Sequence, residues 1–145
     1  MAIKILEIHH HGMRIDGQPP EAVLDFYSNV LGLAADEGRP NIPGVPGYWI
    51  NVGEVGQLHL IGGAAPSPLA RGPGQDPAAP HVAMAVASLA ETKAELERLD
   101  VPYWTSKALN PELEQVFVND PCGNMLEFHQ IGSCRCRLVE RKPKA

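Results

Sequence analysis

A chain of 145 residues with 44% hydrophobic and 20% charged residues has the size and composition of one compact domain or two small fused modules, and excludes a disordered or fibrous class. The net charge of −5, with no basic stripe, argues against nucleic acid as a partner. No apolar run approaches the ~18–20 residues of a membrane span, and the odd set Cys122, Cys134 and Cys136 forms no disulfide framework, so a reducing, cytoplasmic location is expected.

The N-terminus, Met1 to Glu7, lacks the apolar core of a signal peptide and runs into a strand pattern over 3–15. Strict alternation there places Ile8, His10, Gly12 and Arg14 on one face and His9, His11, Met13 and Ile15 on the other. Pro20 suits the first position of a helix. Val23, Phe26, Tyr27, Val30 and Leu31 recur at helical spacing, and Gly32 closes the helix. After a Gly/Pro-rich loop to residue 47, Tyr48–Val52 and Gln57–Ile61 read as strands, with His59 opposite Leu58 and Leu60. The Gly/Pro/Ala-rich stretch to Pro80 reads as a linker.

The pattern then restarts. His81–Val86 is a strand, and Ser88-x-x-Glu91 is a capping box opening a helix that ends near Leu99. Leu89, Leu96 and Leu99 form its apolar face, and Val101–Thr105 is a further strand. Asp120-Pro121-Cys122-Gly123-Asn124 is turn chemistry between apolar runs, so 116–129 reads as a hairpin. In its returning strand Met125, Glu127 and His129 share a face. A carboxylate in the middle of such a strand needs a partner, because burying it unpaired costs several kcal/mol or more. A metal ion is one such partner.

Ligand-type residues repeat with the elements. His10 and His81 lie in the first strand of each half, 71 positions apart; His59 and Glu127 lie in the last, 68 apart. Matching offsets in matching elements argue for an internal duplication, with module one at about 3–62, a linker at about 63–80, module two at about 81–131 and a tail at 132–145. Two modules about a pseudo-two-fold bring all four side chains toward one centre.

With His10-His-Gly-Met-Arg-Ile, Phe26-Tyr27-x-x-Val30-Leu31-Gly32-Leu33, His81-Val-Ala-Met-Ala-Val and Asp120-Pro121-x-Gly123-Asn124-x-x-Glu127 in hand, the chain resembles the vicinal oxygen chelate superfamily over about residues 4–131. That group contains glyoxalase I, extradiol dioxygenases, methylmalonyl-CoA epimerase and the fosfomycin and bleomycin resistance proteins. The resemblance implies an α+β fold of two βαβββ modules, a cupped mixed sheet around one divalent metal, and a homodimer. Its metal positions fall on His10, His59, His81 and Glu127, and Zn²⁺, Ni²⁺, Mn²⁺, Co²⁺ and Fe²⁺ all suit that set. Where glyoxalase I has a carboxylate in the last strand of the first module, this chain has His59, so Glu127 is left as the one carboxylate able to act as a base.

The remaining polar residues carry two readings each. Resemblance to glyoxalases suggests Arg14 for a substrate carboxylate; a salt bridge to Asp16 is the alternative. Trp49 and Tyr48 are core or pocket wall. Gln57 shares the His59 face and could bond a ligand or substrate. His129 faces the cup and either touches substrate or ends its strand in water. His9 and His11 are not expected to be ligands, with His11 a core residue on the helix side. Cys134-x-Cys136 is structural, or a metal or redox pair.

The implied activity is a glyoxalase-like lyase or isomerase that moves a proton next to a chelated carbonyl of a small-molecule substrate. An extradiol Fe(II) dioxygenase is the first alternative. The extra histidine and tyrosine that such enzymes carry before the Asp-Pro turn are missing from Thr105–Val118. A drug-binding protein of the same fold is the second, although such proteins usually lack the metal residues. A fosfomycin-modifying transferase would need more cations than Arg14 and Arg39.

Overall fold

The computed structural model describes residues 3–132; the Cys134-x-Cys136 pair lies outside the described residues. The first half runs β1 (Ile5–Arg14), α1 (Pro20–Asp25), a π-helical turn (Phe26–Val30), β2 (Ala34–Ala35), β3 (Gly47–Val52) and β4 (Gly56–Ile61). The second runs β5 (His81–Val86), α2 (Leu89–Arg98), β6 (Trp104–Ser106), β7 (Gln115–Asn119) and β8 (Met125–Gln130). All eight strands form one mixed sheet in the order β2-β3-β4-β1-β5-β8-β7-β6. Each module pairs its first and last strands in parallel, β1 with β4 and β5 with β8, and β1 meets β5 antiparallel. The order therefore reads the same from both edges, which is the pseudo-two-fold of a duplicated βαβββ module.

Each helix covers the outer face of its own half. Leu89 and Leu96 of α2 pack on Val86, Val116, Val118 and Phe128. Ser88 caps that helix by accepting from the Glu91 N–H at 3.1 Å. Leu99, expected on the apolar face, lies past the helix end and is exposed. Val23, Leu24 and Tyr27 pack against Ile15, Ile50 and Leu60. The π turn, closed by the Leu31 N–H on the Phe26 carbonyl at 3.3 Å, breaks the α-helical phase. Phe26, Val30 and Leu31, which recur at helical spacing in the sequence, are exposed.

The Asp120 turn is the hairpin the sequence pattern demands. Asp120 Oδ1 accepts from the N–H groups of Cys122 and Asn124, Asn124 Nδ2 donates to Oδ2, and Gly123 has φ +86°. Residues 62–80 hold no helix or strand, yet they are anchored. Asp76 accepts from Ser67 N–H and Oγ at 2.7 and 2.6 Å, the Arg71 guanidinium donates to the Thr105 carbonyl, and Ala78 buries against Val45 and Ile61. The segment thereby walls the open side of the cup. Among the described residues no helix is long and apolar enough to cross a membrane.

Candidate functional site

The concave face of the sheet carries the chemistry, and the register explains how. His10 is opposite Ala83, and Ala83 is opposite Glu127 on its other side. Ala83 and Ala85 are fully buried and small, leaving room above the central strand for imidazoles from its neighbours. Gly12 is opposite His81, and the imidazole lies where a side chain at 12 would stand.

Strict alternation fails in β1. Ile8 pairs with Met84 but His10 pairs with Ala83, so two residues of β1 advance against one of β5. This bulge turns both His9 and His10 inward. His9, not expected to face the cup, is fully buried there, with Nδ1 2.7 Å from His10 Nδ1. His11 lies outward, and is exposed rather than the core residue expected.

Three of the four expected ligands converge. His10 Nε2, His81 Nε2 and Glu127 Oε1 are separated by 3.1 Å (His–His), 3.4 Å (His81–Glu127) and 3.7 Å (His10–Glu127), and the three side chains form a group able to hold a metal ion. His81 Nδ1 donates to the Ala79 carbonyl at 2.6 Å, so the neutral ring presents the lone pair of Nε2 to the centre. Each nitrogen of His10 faces another imidazole nitrogen, so its tautomer follows what Nε2 binds: with a cation there, Nδ1–H donates to His9. Glu127 is 2% exposed. Gln115 Nε2 donates to its Oε1 at 3.1 Å and His129 Nδ1 to its Oε2 at 3.3 Å.

The electrostatics favour the ligating forms. Burial alone would raise the Glu127 pKa, but His10, the His129 hydrogen bond and His81 outweigh it and hold the carboxyl well below the usual range. Burial, reinforced by neighbouring imidazoles, drives His10 and His59 well below an ordinary histidine, and His9 down to about 4. Neutral imidazoles and an ionised carboxylate are the states that bind a divalent ion, so the donor set fits one.

His59 is not part of the convergent group. Gln57 spends its amide N–H groups on Asp36 and Asn51, both at 3.0 Å, which aims its oxygen at His59 Nε2 at 2.9 Å. An amide oxygen only accepts, so His59 Nε2 keeps its proton and the neutral ring carries its lone pair on Nδ1. The ring instead lies in a stack, 4.6 Å from Trp49 and 3.6 Å from His10 between centroids, holding the plane of His10.

A cavity open to solvent sits over the triad. Trp49 and His129 line it, together with Arg39, Leu69, Leu109 and Leu113. His129, weighed as a strand-end residue in water, is 4% exposed, and its Nε2 is buried with no partner. Two expected substrate residues lie outside the cavity wall. Arg14 pairs with Asp16 at 2.6 Å and donates to the Gly63 carbonyl, and Gln57 is consumed by the network behind His59. Sequence reasoning missed His9, Gln115 and the place of Arg39; an outward Ile8 followed by two inward histidines is legible only once the bulge is known.

The model of the Glyoxalase/Bleomycin resistance protein/Dioxygenase superfamily matches residues 8–128, and the chain belongs to that superfamily. Solved structures share its fold. A hypothetical protein from Bacillus halodurans C-125 is 21% identical with a TM-score of 0.65, covering 96% of both chains. Methylmalonyl-CoA epimerase from Mycobacterium tuberculosis is 17% identical with a TM-score of 0.64, covering 90% of this chain and 91% of that one. A superfamily member from Vibrio splendidus 12B01 is 15% identical with a TM-score of 0.55, covering 86% and 98%. No curated protein matches the sequence significantly.

Proposed function

We propose that the protein is a divalent-metal-dependent lyase or isomerase that moves a proton next to a carbonyl of a small molecule. The observation that carries this reading is one buried carboxylate with two jobs available: Oε1 of Glu127 faces the Nε2 atoms of His10 and His81, while Oε2 is steadied by His129. His10, His81 and Glu127 would hold the ion. A divalent cation there supplies Lewis acidity, stabilising charge that builds on a carbonyl oxygen. Glu127 accepts the proton from the adjacent carbon, and His129 Nδ1–H and Gln115 keep the carboxylate aimed. The apolar wall keeps water from competing for that proton. The methylmalonyl-CoA epimerases sharing the fold are in keeping with an isomerase, though at such identity they speak for the fold alone.

A dioxygenase is the second reading, favoured by the two-His-one-carboxylate set, which suits Fe(II). One experiment separates them. Protein purified without chelator is expected to carry about one divalent ion per site. With Ni²⁺ or Zn²⁺ it is expected to isomerise a hemithioacetal, and with Fe²⁺ to leave O₂ unconsumed when offered a catechol. O₂ uptake without isomerisation would replace the first reading by the second, and stoichiometric metal in a His10/His81 double alanine variant would remove the site from both.

We also propose a homodimer. Ile5, Leu6 and Ile8 on β1 and Phe26, Val30 and Leu31 after α1 are exposed large apolar side chains among the described residues. Light scattering at micromolar concentration is expected to give twice the chain mass; a monomer throughout that range would contradict the proposal.

A further inference from the structure

Among the described residues Arg39 has no counter-ion. It lies in the loop between β2 and β3, and its guanidinium bridges two backbone carbonyls, Val45 at 2.6 Å through Nη2 and Pro40 at 3.2 Å through Nη1. Those dipoles fix its orientation without neutralising it. Its Nε is buried with no partner. The other described arginines differ: Arg14 pairs with Asp16, Arg98 with Glu95, and Arg71 is exposed. Glu114, the second acid on the cavity wall, is taken by Lys93 at 2.9 Å. Burial lowers the pKa of Arg39 from the ordinary arginine value, and its charge is among those that disfavour protonation of His59. It is thus a half-buried cation on the wall of the cavity that holds the triad.

A half-buried charge whose partners are neutral carbonyls and not a counter-ion is costly, and its persistence needs a reason. With a divalent ion on the triad, a premise taken from the proposed function, the ion and Arg39 outweigh Glu127 by two positive charges. Much of the remaining wall is apolar, with Ile42, Leu69, Leu109 and Leu113 among the lining residues. We propose that Arg39 is the anion anchor of this cavity, and that the natural ligand is a small carboxylate with an apolar body, its charged end on the guanidinium and its body along those leucines. A planar fork suits a carboxylate bidentately.

Isothermal titration of the full-length, Zn²⁺-loaded protein with octanoate, octanamide and octyl phosphate tests this. Octanoate and octanamide share one alkyl body and a planar head of the same shape, and differ in charge and in the amide N–H2. Octanoate is expected to bind about ten- to hundredfold more tightly than octanamide, the range of one charge-assisted pair. Arg39→Met is expected to erase that preference while leaving metal content unchanged, and Arg39→Lys to keep part of it. The preference is also expected to survive in metal-free protein, because the anchor is a side chain; this separates failure of the anchor from failure of the metal reading. Equal binding of octanoate and octanamide by wild type overturns the proposal, as does a preference that persists in Arg39→Met or disappears with the metal. Tighter binding of octyl phosphate than of octanoate overturns the carboxylate assignment.

Discussion

Glu127→Gln is expected to cut turnover by about 10²–10⁴-fold, the range of a lost general base, while the protein still folds and still retains metal. Glutamine keeps the size and an oxygen for the position of Oε1, where Gln115 donates and His10 and His81 face it. It replaces Oε2 by an amide N–H, which meets the N–H of His129 Nδ1, donor against donor. His129 can relieve the clash by moving its proton to Nε2, an atom now buried without a partner. The fold should therefore tolerate the change, with metal affinity reduced because one negative charge is gone from the donor set. Turnover and bound metal measured on the same sample decide the matter. Wild-type turnover in this variant would remove Glu127 as the base. Complete loss of metal would make it a ligand alone, and a dioxygenase would fail in that second way.

The period-two and period-3.6 patterns carried most of the architecture, because both modules bury one face of each strand against one helix. The duplicated offsets of His10 with His81 and His59 with Glu127 pointed to a common centre, and the structure brings His10, His81 and Glu127 together there. Four features were not legible. The β1 bulge has no composition signal: nothing in Ile8-His-His-His-Gly marks which residue is the extra one, and a one-residue slip reverses every inward and outward assignment. The role of His59 depends on Gln57, whose amide is oriented by Asp36, 21 positions earlier in the chain. Such a chain of three side chains is a tertiary fact. Arg39 sits in a loop with no period to read, and only the packing of residues 62–80 over the cup turns that loop into a cavity wall. The π turn after α1 likewise gives no warning in Phe26-Tyr-Ser-Asn-Val, whose apolar spacing continues as if the helix were regular.

Gly12→Ala is expected to strip the metal without touching a ligand. Gly12 faces His81 across the β1–β5 pair. A Cβ built there would stand 2.6 Å from His81 Cε1 and 2.8 Å from Nδ1, closer than such atoms approach. The backbone can host alanine, so the whole cost falls on the imidazole. That ring has nowhere to go: Nδ1 is tied to the Ala79 carbonyl, Nε2 meets His10 at 3.1 Å, and Phe117 stands edge-on at 6.3 Å. Either the ring breaks the Ala79 bond and leaves the centre, or the two central strands part. The first is the cheaper, since overpacking typically costs about 1–3 kcal/mol and the β1–β5 pairing joins the two halves of the sheet. Metal affinity should fall by at least the 10–100-fold seen on disturbing the outer support of a ligand. The midpoint of thermal unfolding should drop by several degrees, and the far-UV spectrum should be unchanged. Competition with a chelator dye gives the affinity directly. Wild-type metal affinity in folded Gly12→Ala protein would mean that His81 does not hold the ion.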